Sequence, residues 1–342
     1  MSLSRWIPPL LCALLLAGPV AAAEVNLYSA RQESLIKPLL DRFTEQTGIE
    51  VNLVTGKADA LLQRLKSEGR NSPADLLLTT DAGRLHRARE AGVLAPVDSE
   101  TLQRQIPPQY RDPEGYWFGL SVRARPIVYV TDRVDPQELS TYEALADPKW
   151  KGRVCIRSSS NIYNQSLVAS MIAHRGIEAT GAWARDFVAN FARPPIGGDR
   201  DQVLAAAAGQ CDIAVVNTYY LGVMLNEDDP EQREAAERVA VFWPNQAGNG
   251  DGRGTHVNVS GIALTSAAGH RDNAVRLMEF LASDASQAWY AQVNHEYPVR
   301  DSMPVSDTLA AWGDFKADDL DLHLLGKYNA EAVRLMDRAG WK

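Results

Sequence analysis

Short apolar runs alternate with helical stripes through most of this chain. Val25 to Tyr28 and Val51 to Val54 have strand length, and between them Leu35, Ile36, Leu39, Leu40 and Phe43 recur on one helical face. The pattern predicts a strand, a helix over Ser34 to Glu45, and a second strand. Pro38 is tolerated only near a first turn, which sets the helix start close to Ser34. Leu61, Leu62 and Leu65 mark a further helix from Ala58 to Glu68, stopped by Gly69. Asp75 to Leu78 then reads as a buried strand and Gly83 to Glu90 as a helix. This rhythm implies an α/β protein with a largely parallel sheet.

A second unit follows the turn-rich stretch from Pro107 to Gly119. Val154 to Ile156 and Ile213 to Val216 read as strands; Ile162 to His174, Ile177 to Phe191 and Asp201 to Ala208 read as helices. Two extended runs, Arg125 to Val130 and His256 to Leu264, bracket this unit like paired crossings between lobes. The expected architecture is two lobes, discontinuous in sequence, around a hinged cleft. Residues 24–122 with 256–300 would form one lobe, and 123–255 with 301–342 the other. The glycines of Gly248 to Gly254 fall at every second position, without the GxGxxG spacing, so the run is read as a surface loop.

The first 23 residues read differently. Arg5, the apolar stretch Ile7 to Val20 and Ala21-Ala22-Ala23 have the order of a cleavable signal peptide. The stretch is too short and too proline-broken to span a membrane. Cleavage would remove Cys12 and leave Cys155 and Cys211 in an oxidising compartment, where a disulfide is expected. With 35 basic and 43 acidic residues, a net charge of −8 and no basic run, the composition argues against nucleic acid or an anionic membrane surface as partner.

Candidate chemistry centres on Asn217-Thr218-Tyr219-Tyr220, directly after the apolar run Asp212 to Val216. A buried strand that ends in two phenols places hard oxygen donors where open α/β sheets bind ligands. Such a pair suits Fe³⁺, because phenol ionises at neutral pH only under a strong Lewis acid. The competing reading is a pair of core aromatics. A third tyrosine, Tyr163, follows Ser158-Ser159-Ser160-Asn161, where hydroxyls and helix-start amides suit a small anion, or where the run merely caps a helix. Arg123 and Arg125 alternate along an extended run and can share one face, as an oxyanion fork or a structural ion pair. Ser34 to Lys37 fits SxxK without its companion motifs, and HExxH and GxSxG are absent.

Taken in order, Tyr28 to Arg31, Arg123 to Arg125, Val154 to Gln165, Gly198 to Val203, Asn217 to Tyr220, Gly254 to Gly261 and Asn294 to Val299 resemble the periplasmic ferric-ion-binding proteins of iron ABC transporters, essentially end to end. The resemblance implies the type II periplasmic-binding fold and Tyr163, Tyr219 and Tyr220 as metal ligands. It also implies an anion, carbonate or similar, held by Arg125 with Ser158, Ser160 and Asn161. Many relatives carry a His or His-Tyr pair after the first strand, where this chain has Gln32-Glu33; Glu33 is then either a further ligand or the first acid of the helix, and the second role is favoured. The reading that follows is a monomeric periplasmic carrier, not an enzyme and not membrane-spanning. It would deliver Fe³⁺ to an inner-membrane permease with a cytoplasmic ATPase. The alternatives are a binding protein for an oxyanion or small organic ligand, and an exported enzyme on the same scaffold.

Overall fold

The computed structural model describes residues 23–342, so the signal peptide expected over residues 1–23 lies, but for Ala23, outside the described residues. Among the described residues, eleven strands form two sheets. The first contains β1 (Glu24–Ser29), β2 (Glu50–Thr55), β3 (Leu76–Thr80), β4 (Leu94–Ala95), β5 (Phe118–Ala124), β10 (Val257–Thr265) and β11 (Tyr297–Pro298). Its order is β11-β5-β10-β3-β1-β2, with β4 also on β10. The second runs β7-β8-β6-β9, from β6 (Ile127–Val130), β7 (Val154–Cys155), β8 (Ile213–Val215) and β9 (Val239–Phe242).

The expected parallel sheet is a mixed one. β1, β2 and β3 are parallel, but β10 runs antiparallel to both β3 and β5. The physical reason is the crossing: β5 leaves the first lobe and β10 returns to it, so they pair in opposite directions. Arg125 N donates to His256 O at 3.0 Å. The Tyr142 hydroxyl ties the same two crossings, donating to Arg125 O and accepting from His256 N, at 2.7 and 3.1 Å.

The helices keep the periods the sequence displays. The first spans Glu33–Thr47 and buries Ile36, Leu39, Leu40 and Phe43. Pro38 sits inside it, past the first turn that the sequence suggested. Ile162–Val188 is continuous except at Gly176, whose φ of 81° breaks it between the two helices expected there. Cys155 and Cys211 are joined, with Cα atoms 5.8 Å apart, and fasten β7 to the start of β8. Among the described residues no helix is long and apolar enough to cross a membrane.

Two contacts join segments next to strands of the first sheet to helices associated with the second. Asp81, at the end of β3, is fully buried and has φ 86°. Its carboxylate accepts from Ser166 Oγ on the long helix of the second lobe, at 2.8 and 2.9 Å, and from Asn258 Nδ2 at 2.8 Å. Gly222, in the helix Thr218–Asn226, lies so close to His295 of the first lobe that a Cβ there would come within 2.6 Å.

Candidate metal centre

β8 ends at Val215, and Thr218 opens the next helix, so Tyr219 and Tyr220 occupy its first turn and not the strand end itself. Successive helical residues point about 100° apart, yet here the rings stay together, with centroids 4.2 Å apart. Tyr163 arrives from the other side, in the first turn of the long helix. Its hydroxyl lies 3.3 Å from that of Tyr219. All three phenols are half-buried.

Guanidinium groups surround Tyr163. Those of Arg123, Arg157 and Arg125 lie 5.2, 5.7 and 6.0 Å from its ring centroid. Burial pushes Tyr163 up, but the charge of Arg123 and the hydroxyls of Tyr219 and Thr80 overcome it and hold this phenol below its ordinary value. Tyr219 is driven well above its ordinary value, by burial first and then by Tyr163 and Tyr220. Tyr220 is pushed up to about 12 by burial, Tyr163 and Asp199. The first proton therefore leaves Tyr163, and its negative charge resists the loss of the next two.

Arg125 spends both Nη groups on the protein around it, and its Nε is left without a partner. It is 1% exposed, and its Nη1 donates to Asn217 Oδ1 and Asp199 Oδ2 at 2.9 and 3.3 Å. Its Nη2 donates to Asn164 Oδ1 and Val215 O at 2.6 and 3.1 Å. Those bonds make it a brace between β8, the long helix and the tyrosine turn; both Nη atoms are engaged, and Nε is the donor left for the anion role that the resemblance implies. Arg123, its neighbour on the crossing, donates Nη2 to Val259 O at 2.7 Å and leaves Nε and Nη1 without partners.

The serine segment is partly satisfied from within. Asn161 caps the long helix by accepting from Tyr163 N at 3.0 Å, and the hydroxyls of Ser158 and Ser160 bond each other at 2.9 Å. Gln32 and Glu33 are exposed, and Glu33 is the first residue of its helix beside a groove with Lys37 and Asp41. No hydrogen bond joins either to a phenol. The adjacent Arg31 is buried in a bidentate pair with Glu296, at 3.1 and 2.9 Å, which Ser121 also contacts.

Sequence reasoning missed Asp199. An acid near a helix start reads as a dipole partner, yet Asp199 is fully buried and its carboxylate receives Arg125, Arg157 and the Asn217 amide. The only available signal was its place in the family-like run Gly198 to Val203. Among the described residues no group of three His, Cys, Asp or Glu side chains offers a rival metal site.

Two mixed sheets joined by paired crossings define a type II solute-binding protein. The sequence pattern of the bacterial extracellular solute-binding proteins matches residues 39–317, and the chain belongs to that family. Over 324 residues it is 52% identical to Iron uptake protein A1 of Synechocystis sp., covering 95% of this chain and 89% of the relative. The Trichodesmium protein FutA, solved with iron and citrate, superposes with a TM-score of 0.89 at 49% identity, over 94% of this chain and all of the other. The ferric binding protein from Campylobacter jejuni superposes at 0.88 with 38% identity, over 93% of this chain and all of its own.

Proposed function

We propose that this protein is the periplasmic substrate-binding component of a ferric iron ABC importer. Fe³⁺ is its cargo, bound by Tyr163, Tyr219 and Tyr220 and handed to an inner-membrane permease driven by an ATPase. It carries out no catalysis. The observation that carries the reading is the convergence of three phenols, with Tyr163 and Tyr219 oxygens 3.3 Å apart, inside a shell of buried arginines. The names of the relatives, which concern iron uptake and ferric binding, support it.

Charge supplies the remaining ligand. Three phenolates neutralise Fe³⁺, and Arg123, Arg125 and Arg157 against Asp199 leave an excess of positive charge around the cluster. An oxyanion fits that excess and completes the coordination of the metal. Its donors are the unpartnered Nε and Nη1 of Arg123, with Ser158 and Ser160 at the helix start; Arg125 braces the site from behind. Carbonate fits this description, and so does a carboxylate of the kind present in the Trichodesmium structure. The test is a ferric titration of the mature protein with metal analysis. One iron per chain and a visible phenolate charge-transfer band are expected. A colourless protein that retains no iron would discard the reading.

A further inference from the structure

A cavity of about 650 Å³ lies against the edge strand β11, and none of the three phenols lines it. Val122 does line it, whereas the next residue along β5, Arg123, lies over Tyr163. Consecutive strand residues face opposite sides, so the cavity occupies the other face of β5 from the phenols. Its walls are apolar and aromatic, from Tyr110, Tyr297, Phe315, Met303 and Leu309.

Two features of the wall ask for a ligand. The Tyr297 hydroxyl is buried and has no hydrogen-bond partner, a costly condition for a donor that water does not reach. Around the mouth, Asp301, Asp314 and Asp319 are exposed and none is in an ion pair, while the nearby Lys316 donates to Gly252 O. Arg300 is taken by Asp284, and Asp318 by His174. A bond to a carbonyl leaves Lys316 charged, so three unpaired carboxylates face one ammonium and the net charge at the opening is negative, beside aromatic walls.

We propose that this cavity is a second ligand site, for a small amphipathic amine whose apolar ring fills the pocket and whose ammonium meets the carboxylate rim. Volume, ring walls and an unused hydroxyl match an organic molecule of roughly one or two fused rings. The site also touches both lobes. Phe315 stacks on Trp243, which follows β9 of the second sheet, at 4.0 Å and 14°. Tyr297 of the first sheet meets both rings edge-on, at 5.3 and 6.4 Å. Occupancy is thus reported by Trp243 fluorescence.

The experiment compares 1-naphthylmethylamine with 1-naphthylacetate, the same ring with opposite charge, by calorimetry and tryptophan fluorescence on the mature protein at pH 7 and low salt. One amine per chain is expected, with the acetate at least about tenfold weaker. Asp301→Asn and Asp314→Asn each weaken the amine by about two- to fivefold, the range of exposed ion pairs. Leu309→Trp narrows the cavity and weakens binding, and Ala310→Trp, at an exposed lining position, does so with less risk to the fold. The ferric titration stays unchanged in the Asp variants, which separates this site from the phenols. No saturable binding of the amine, equal binding of amine and acetate, or full binding in a cooperatively folding Ala310→Trp variant would each overturn the proposal.

Discussion

Replacing Tyr220 with Phe keeps the ring against Tyr219 and removes a single oxygen, so the perturbation acts on the chemistry of the site and little on its packing. The magnitude follows from the proton that oxygen carries. With its pKa pushed up to about 12, Tyr220 is fully protonated at pH 7, and ionising it there costs about 7 kcal/mol. Tyr219, driven well above its ordinary value, is protonated as well. Iron capture as phenolates must displace the protons of Tyr219 and Tyr220, so affinity should fall by at least about a hundredfold for each unit of pH lost, and more steeply wherever Tyr163 is also protonated. A pH-stat measures this directly. When ferric nitrilotriacetate is added to unbuffered protein, each Phe variant should release one proton per iron fewer than wild type, whatever the freed chelator takes up. The pH slope of affinity should drop by about one in Tyr219→Phe and in Tyr220→Phe. Proton release equal to wild type in Tyr219→Phe and Tyr220→Phe, with an unchanged visible band, would refute the phenolate site and favour an anion-binding protein.

Reduction of the Cys155–Cys211 bond, which closes a separation of 56 residues, should lower stability by up to about 4 kcal/mol in urea melts, and a melt insensitive to reductant would contradict this. Gly222→Ala puts a Cβ against His295, so a destabilisation of about 1–3 kcal/mol and weaker iron retention are expected from calorimetry and chelator competition; unchanged values would mean the tyrosine helix is not held by that contact. His256 is held down to about 3 by burial and then by Arg125, Arg253 and Arg123, so it stays neutral in the fold while the unfolded chain takes up its proton near pH 6.5. Stability from this group is complete above pH 6.5 and is lost as pH falls towards 3. Between pH 6.5 and 5 the urea midpoint of wild type should fall more steeply than that of His256→Gln, and parallel curves would exclude the effect.

Local pattern was enough for the elements. The stripe Leu35 to Phe43, the break at Gly176 and the apolar runs of β1, β3 and β8 are short-range patterns, and the backbone follows them because the helix buries its stripe and the strands bury nearly all of their side chains. The site was legible as residue types: two adjacent phenols, a serine run before a third, and two arginines on a crossing. How many free donors each arginine keeps was not legible, because Arg123 and Arg125 differ only in what other segments bring to them. Asp199, Asn164 and Asn217 lie 39 to 92 positions from Arg125 and occupy both of its Nη atoms, whereas Arg123 meets one carbonyl and an aromatic face. The direction of each phenol's titration has the same origin, since it depends on burial and on charges supplied by both lobes. Sequence by itself determined which segments fold and which oxygens are present; the tertiary structure decided which of them meet, because hydrogen-bond partners and electrostatic neighbours are set by distance in space and not along the chain.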